Sequence, residues 1–264
     1  MNLKRYFSLF GAFFRFSFYS ETAFRGNLLF WTTENLLWLG LSFIGIELIY
    51  GQVNNFAGWD KNQAFLIIFI SALFHDLCWT FIFRNLHEFS GLVREGRLDQ
   101  LLLRPVNLRF LLSCRIFEFD HYVRIILEFF LIYRYTLLAG GYFSLSNLVM
   151  AISLFACGLI IFYSLFFALT VTNIWFINLA NLIDFFNDLK EVGSKPTYIF
   201  KEGLFIFFAY ILPVGFIATF PAEALLGKIT LEKVILAPFL AFVFLWGSQK
   251  FFTFALKYYS SASS

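Results

Sequence analysis

Charge is what this sequence has least of. Only 14% of its 264 residues are Asp, Glu, Lys or Arg, where a soluble domain carries about 25%. With 60% of the chain hydrophobic, the apolar excess cannot be hidden inside one water-facing core, and the sequence reads as a polytopic membrane protein. Cysteine is scarce too: Cys78, Cys114 and Cys157 are scattered and form no CxxC spacing. That excludes a disulfide framework or a zinc knuckle and leaves small residues in or near helices. The three histidines, His75, His87 and His121, show no HExxH spacing, and no Gly-x-Ser-x-Gly elbow occurs. A metal site, a metalloprotease and a serine hydrolase therefore all lack their signatures. No polar stretch approaches the roughly 50 residues at which soluble domains begin, so residues 1–264 are expected to form a single transmembrane domain. A cleavable signal peptide is not expected either, because Arg15, Glu21 and Arg25 interrupt any apolar h-region. Nothing suggests a nucleic-acid partner.

What the chain has in quantity is long apolar runs, bulky with 41 Phe residues. A helical span needs roughly 20 mostly apolar residues. Six such segments are expected at Asn27–Tyr50, Asn62–Phe83, Asp120–Gly141, Asn147–Thr170, Glu202–Phe220 and Leu231–Phe252. Their continuous Leu, Ile and Phe content excludes barrel strands, which alternate, and leaves an all-α fold. Orientation follows from Lys and Arg. With the N-terminus in the cytoplasm, 15 of the 20 basic residues fall inside, only Lys61, Lys228 and Lys233 fall outside, and Arg124 and Arg134 lie within the third span. Both termini are therefore expected to be cytoplasmic. Residues 1–26 read as an interfacial helix ahead of the first span. Residues 171–201, through the amphipathic stretch Trp175–Leu189, read either as a second interfacial helix or as an extension of span four. No internal repeat of the kind found in inverted-repeat secondary transporters is seen.

A basic island breaks the apolar runs inside the cytoplasmic segment 84–116. It reads Arg94-Glu95-Gly96-Arg97-Leu98-Asp99-Gln100-Leu101-Leu102-Leu103-Arg104-Pro105-Val106-Asn107. Gly96 ends one helix and Pro105 stops the next. Between them Leu98, Leu101 and Leu102 share one helical face, edged by Arg97, Asp99, Gln100 and Arg104. Two readings stand. The leucines sink into lipid with the arginines at anionic head groups, or the rod meets another protein. A second group of interest is intramembrane: Glu47, His75, Asp76, Glu128 and Arg134. A mid-span charge costs at least about 2.5 kcal/mol, so these groups should face one another or a cavity. Asp76 with Arg134 is the expected pair, serving either as a structural ion pair or as part of a polar wall. Near a span end, Glu47 reads as reaching the interface.

The run from Phe83 to Asn107, with its Gly96-x-Leu98-Asp99 and Arg104-Pro105-Val106-Asn107 pattern, resembles the signature of a largely uncharacterised family of bacterial ABC exporter permeases of type 2 architecture. Two further stretches are similar to segments of that family: Phe220-Pro221-Ala222-Glu223-Ala224-Leu225-Leu226-Gly227 and the terminal Tyr259-Ser260-Ser261-Ala262. The resemblance implies a permease of an ATP-driven exporter in the bacterial inner membrane. Arg94, Gly96, Leu98, Asp99, Leu102, Arg104 and Pro105 match the pattern, and with Arg97 and Leu101 they would form a coupling helix docking into a separate ATPase. It further implies two ATPase subunits, a second permease copy or a paralogue, surrounding lipid, and an outer segment Pro221–Thr230 that folds back to gate the exit. ATP and magnesium would reside on the ATPase. The only Gly-Lys here, Gly227-Lys228, is followed by Ile229 and preceded by Ala222 where a P-loop needs Gly, so this chain is expected not to be an enzyme. The rival readings are an ATP-independent channel or secondary transporter, and a membrane enzyme or scaffold.

Overall fold

A computed structural model describes residues 3–176, 188, 192–195, 203–204, 207–208 and 212–259. Among these the fold is all-helical, without a named strand. In chain order the helices are α1 (Leu3–Ala23), α2 (Arg25–Tyr50), α3 (Lys61–Cys78), α4 (Arg84–Arg94), α5 (Leu98–Leu102), α6 (Leu108–Ser113), α7 (Tyr122–Leu138), α8 (Leu145–Val171), α9 (Thr219–Leu225) and α10 (Leu231–Ala255). Among the described residues, four helical stretches are long and apolar enough to cross a bilayer: Arg25–Tyr50, Lys61–Arg94, Leu145–Ile174 and Leu231–Ala255. At 17 residues, α7 sits at the lower bound of spanning length. Residues 202, 205–206 and 209–211 of the expected fifth span lie outside the described residues, as does Trp175–Leu189 apart from Trp175, Phe176 and Asp188.

The described end of that fifth segment departs from expectation. A helix running to Phe220 is replaced by a turn at Pro213, a 3-10 turn at Val214–Phe216, and then α9. Pro213 has no N–H to continue a helical ladder, whereas Pro221 lies in the first turn of α9, where that N–H is not needed. Every residue of α9 is buried, and the helix packs against α8 and α3. Gly158 of α8 makes this approach possible, because a Cβ there would lie 2.6 Å from the Phe216 carbonyl oxygen. Small residues let membrane helices approach closely where no hydrophobic force drives association. Lys233 anchors the other side, 2.8 Å from Glu223 and over the Phe220 ring at 4.5 Å.

The second span also differs from its expected end at Phe83. A π-helical turn, Trp79–Phe83, joins α3 to α4, and the helix runs on to Arg94. The segment expected as loop from residue 84 is therefore helical for its first eleven residues. The α3–α4 rod and α8 form the centre, with α7 against α3 and α10 against α8. The three basic residues expected outside gather at one end of this bundle. Lys61 meets the half-exposed Glu47 at 2.5 Å, Lys228 lies over Trp59, and Lys233 meets Glu223. The 95–115 segment occupies the far end of the α3–α4 rod.

Candidate functional site

At that far end, Gly96 turns the chain with φ +68°, a left-handed conformation that glycine adopts freely. The short α5 follows, and its leucines divide in a way their spacing did not foretell. Leu98 and Leu101 are 0% and 4% exposed, packed into this chain's own core alongside Phe89, Leu92, Leu111 and Ala255. Leu102 and Leu103 are 45% and 86% exposed. The expected common face of Leu98, Leu101 and Leu102 is thus corrected: two of the three hold the segment to the bundle, and the outward tip is Leu102-Leu103-Arg104-Pro105. Arg94 and Arg97 are exposed beside it, with Arg97 2.7 Å from Glu95. The half-buried Asp99 faces inward to the last described residue, Tyr259. Burial, then the neighbouring Asp99 carboxylate, push the Tyr259 hydroxyl above its ordinary pKa. Two of the sequence stretches that carried the family resemblance therefore meet in space.

The segment returns to the bundle through a set of clamps. Asn107 caps α6 by accepting from the Phe110 N–H at 3.2 Å. Arg109 then reaches across: Nε donates to the Tyr163 hydroxyl at 2.9 Å, one terminal nitrogen to Ser248 at 2.8 Å and the other to Gln249 at 2.9 Å. Its guanidinium lies 4.4 Å from the Phe167 ring centroid. A planar, always-charged group with five donors suits such a three-way joint, which ties α6 to both α8 and α10. Sequence reading had counted Arg109 only as one more positive charge. Asn85 of α4 donates to the Ile116 carbonyl at 2.7 Å and accepts from the Arg115 and Ile116 N–H groups. Arg115 meets Glu88 at 2.6 Å. From outside, α1 covers this return strand with ring contacts from Tyr6, Phe10 and Phe14 to Phe110, Phe117 and Phe119. Its Glu21 accepts the Phe119 N–H at 2.8 Å.

Inside the bundle a second polar group is centred on Asp76, which is fully buried. One carboxylate oxygen lies 3.0 Å from His75 and 3.3 Å from His121, and the other lies 3.0 Å from Arg124 Nε. That same Nε donates to the equally buried Glu128 at 2.9 Å. A further Arg124 nitrogen donates to the Asn35 carbonyl, and the Asn35 side chain donates to Asp120 at 3.1 Å. The cation between the two carboxylates is thus Arg124, not Arg134, which is exposed on α7. The helical repeat explains the correction. Arg124 and Glu128 are four residues apart and share a face, while Arg134 is turned elsewhere. Burying one carboxylate without a cation would be costly, and the shared guanidinium offsets both.

Close by, Glu118, Asp120 and His121 bring donor atoms within 4.8 Å of one another. Each already has a partner: Arg84 at 3.6 Å for Glu118, Asn35 for Asp120 and Asp76 for His121. That arrangement gives no reason to assign a metal. Burial, with help from the Asp120 charge and against that of Arg84, pushes the Glu118 carboxyl up to about 7. These groups border a cavity of about 1340 Å³ between α1–α2 and α3–α7.

Compared with known proteins, the chain matches one family model, described as ABC-2 family transporter protein, over residues 36–263. No curated protein and no solved structure matches it.

Proposed function

Because the chain belongs to the ABC-2 family of transporter proteins, and is therefore a multi-pass permease component of an ABC transporter, we propose that it forms half of an ATP-driven export pathway. In this reading it lies in a bacterial inner membrane with both termini in the cytoplasm, and belongs to the subgroup marked by the Gly-x-Leu-Asp and Arg-Pro-Val-Asn loop. ATP and magnesium reside on two separate ATPase subunits, and this chain hydrolyses nothing. A second copy or a paralogous permease completes the path.

The observation that carries the reading is the exposed tip Leu102-Leu103-Arg104-Pro105 on a rigid mount. An apolar knob edged by arginines suits a cleft that is greasy at its floor and acidic at its rim. The mount makes it a lever. Leu98 and Leu101 are locked in the core, and Arg109 binds the following turn to α8 and α10. Displacement of the tip by a closing ATPase pair is passed to the spans instead of being absorbed by a slack loop. At the opposite end, the burial of α9 between α8 and α3 supports the reading in which the segment Pro221–Thr230 gates the exit.

Co-expression with ABC ATPase subunits from the same genome tests the proposal. The wild-type pair is expected to copurify in mild detergent and to transport in vesicles. Changing Leu102 and Leu103 together to Glu, at exposed positions that leave the core intact, is expected to detach the ATPase while the permease still inserts. ATPase binding and transport that survive the double change would remove the coupling assignment of this tip, and transport with no ATPase bound would favour an ATP-independent channel or secondary transporter.

A further inference from the structure

The cavity between α1–α2 and α3–α7 has chemistry that the coupling segment does not use. We infer that it is a binding site for an amphipathic ammonium ion, a primary amine head carried on an apolar tail. The inference does not depend on how the tip at residues 102–105 is engaged. It rests on the cavity's depth, its walls and two side chains.

The first side chain is Glu34. On α2 it follows Trp31 by three residues and precedes Trp38 by four, so all three share one helical face, and all three line the cavity. Trp38 lies near the midpoint of α2, and Glu34 is about 6 Å along the helix from it, at 1.5 Å per residue. A carboxylate at that depth calls for a compensating partner. Among the described residues, its hydrogen-bond partner is the neutral indole N–H of Trp38. Among the described residues, the two arginines that line the cavity are engaged with other acids, Arg84 with Glu118 and Arg124 with Asp76 and Glu128.

The second side chain is Ser71. It is 2% exposed, lies near the middle of α3, and lines the same cavity, and among the described residues its hydroxyl has no hydrogen-bond partner. Buried hydroxyls normally find one. A cation with N–H donors answers both needs. Glu34 supplies the opposite charge, the Ser71 oxygen accepts an N–H, and the faces of Trp31 and Trp38 attract the positive head, tryptophan being the most effective ring for that purpose. The remaining lining carboxylates, Glu21, Glu118 and Asp120, favour cations over anions at the α1 side. The apolar wall from Ile68 and Ala72 takes the tail. A head of this kind could come from a bilayer lipid or from a free amphiphile, and the test separates the two.

The full-length permease with its copurifying partners is placed in nanodiscs of phosphatidylglycerol, and radiolabelled dodecylamine, cationic at neutral pH, is titrated against empty discs. Saturable binding is expected. Glu34→Gln should weaken it about tenfold or more, Ser71→Ala and Trp31→Leu each by a few fold, and Glu34→Asp should restore most of it. Exchanging phosphatidylglycerol for phosphatidylethanolamine identifies the source. Loss of dodecylamine binding shows that the lipid head occupies the site, and retention shows that a free amphiphile is the ligand; either result upholds the ammonium chemistry. Binding unchanged in Glu34→Gln overturns the inference, as does equal displacement of the label by the neutral dodecyl maltoside. It is overturned too if Glu34→Gln disrupts the assembly of permease copies while each copy still binds the amine, since Glu34 would then be answering a cation on its neighbour.

Discussion

The 95–105 segment and the Asp76 cluster handle charge in opposite ways. In the segment, arginines point outward and Leu98 and Leu101 point inward, as in a water-soluble protein. In the cluster, Asp76 and Glu128 are buried around Arg124, while α7 and α2 present Phe129, Phe130, Leu37 and Leu41 outward. One rule gives both patterns: a charge must be solvated, by water where there is water and by other protein groups where there is lipid. The two regions therefore differ in what a mutation removes. In the cluster the ion pairs of Arg124 with Asp76 and Glu128 are part of the scaffold. In the segment the scaffold is apolar, and the exposed groups are free to serve a partner.

The comparison breaks most visibly at Arg124. Its replacement by Ala leaves Asp76 and Glu128 buried side by side without their cation, and about 3–5 kcal/mol of stability should be lost, seen as failure to recover monodisperse protein in detergent. Arg134→Ala should stay within about 0.5 kcal/mol, and equal damage from both would mean that Arg124 is not the shared cation. Next comes a contrast inside the segment. Leu101→Glu buries an unpaired charge and should destabilise by roughly 2–5 kcal/mol. Leu103→Glu, at an 86% exposed position, should leave the melting temperature nearly unchanged while lowering ATPase stimulation. Equal loss of stability in both would contradict the division into mount and tip.

Gly158→Ala is expected to cost about 1–3 kcal/mol, because its Cβ meets the rigid carbonyl of Phe216 and not a movable side chain. Limited proteolysis near residue 217 should then increase; an unchanged digest would mean that α9 is not held there. The smallest effect concerns pH. Glu118 sits at about 7 against an ordinary 4.5, so the folded state favours its protonated form. The stability linked to this group is fully present below about pH 4.5 and is lost as pH rises through 7. A melting temperature followed from pH 5 to pH 8 should decline, and Glu118→Gln should flatten that decline. Arg84, Asp120, His121 and Glu21 all face Glu118, and a slope that survives the substitution would assign it to them.

Much of this was legible in one dimension. Scarce charge and long Leu–Ile–Phe runs announce a helical membrane protein, because backbone polar groups in lipid must be satisfied within the helix. The island at 94–107 is visible as an interruption. Its internal division was not, since i, i+3, i+4 spacing tells which residues share a face and not which side of the segment the bundle lies on. Arg134 was expected beside Asp76 because both lie near mid-span on consecutive spans. The rotation of α7 decided for Arg124, and His121, noted in the sequence only as outside any HExxH spacing, joined the cluster through that same turn. Arg109 and Asn85 had no signal of their own, because a three-way joint needs helices that are remote in sequence.

By itself the sequence determined composition-driven facts: that the chain is all-helical, that it crosses a bilayer several times, and where its charged interruption falls. These follow from local transfer costs that each residue carries with it. Which leucine anchors and which protrudes, which arginine neutralises Asp76, and that Glu34, Trp38 and Ser71 share one cavity were decided only in the tertiary structure. Each depends on how helices rotate and approach one another, and that is settled by packing between segments far apart in the chain.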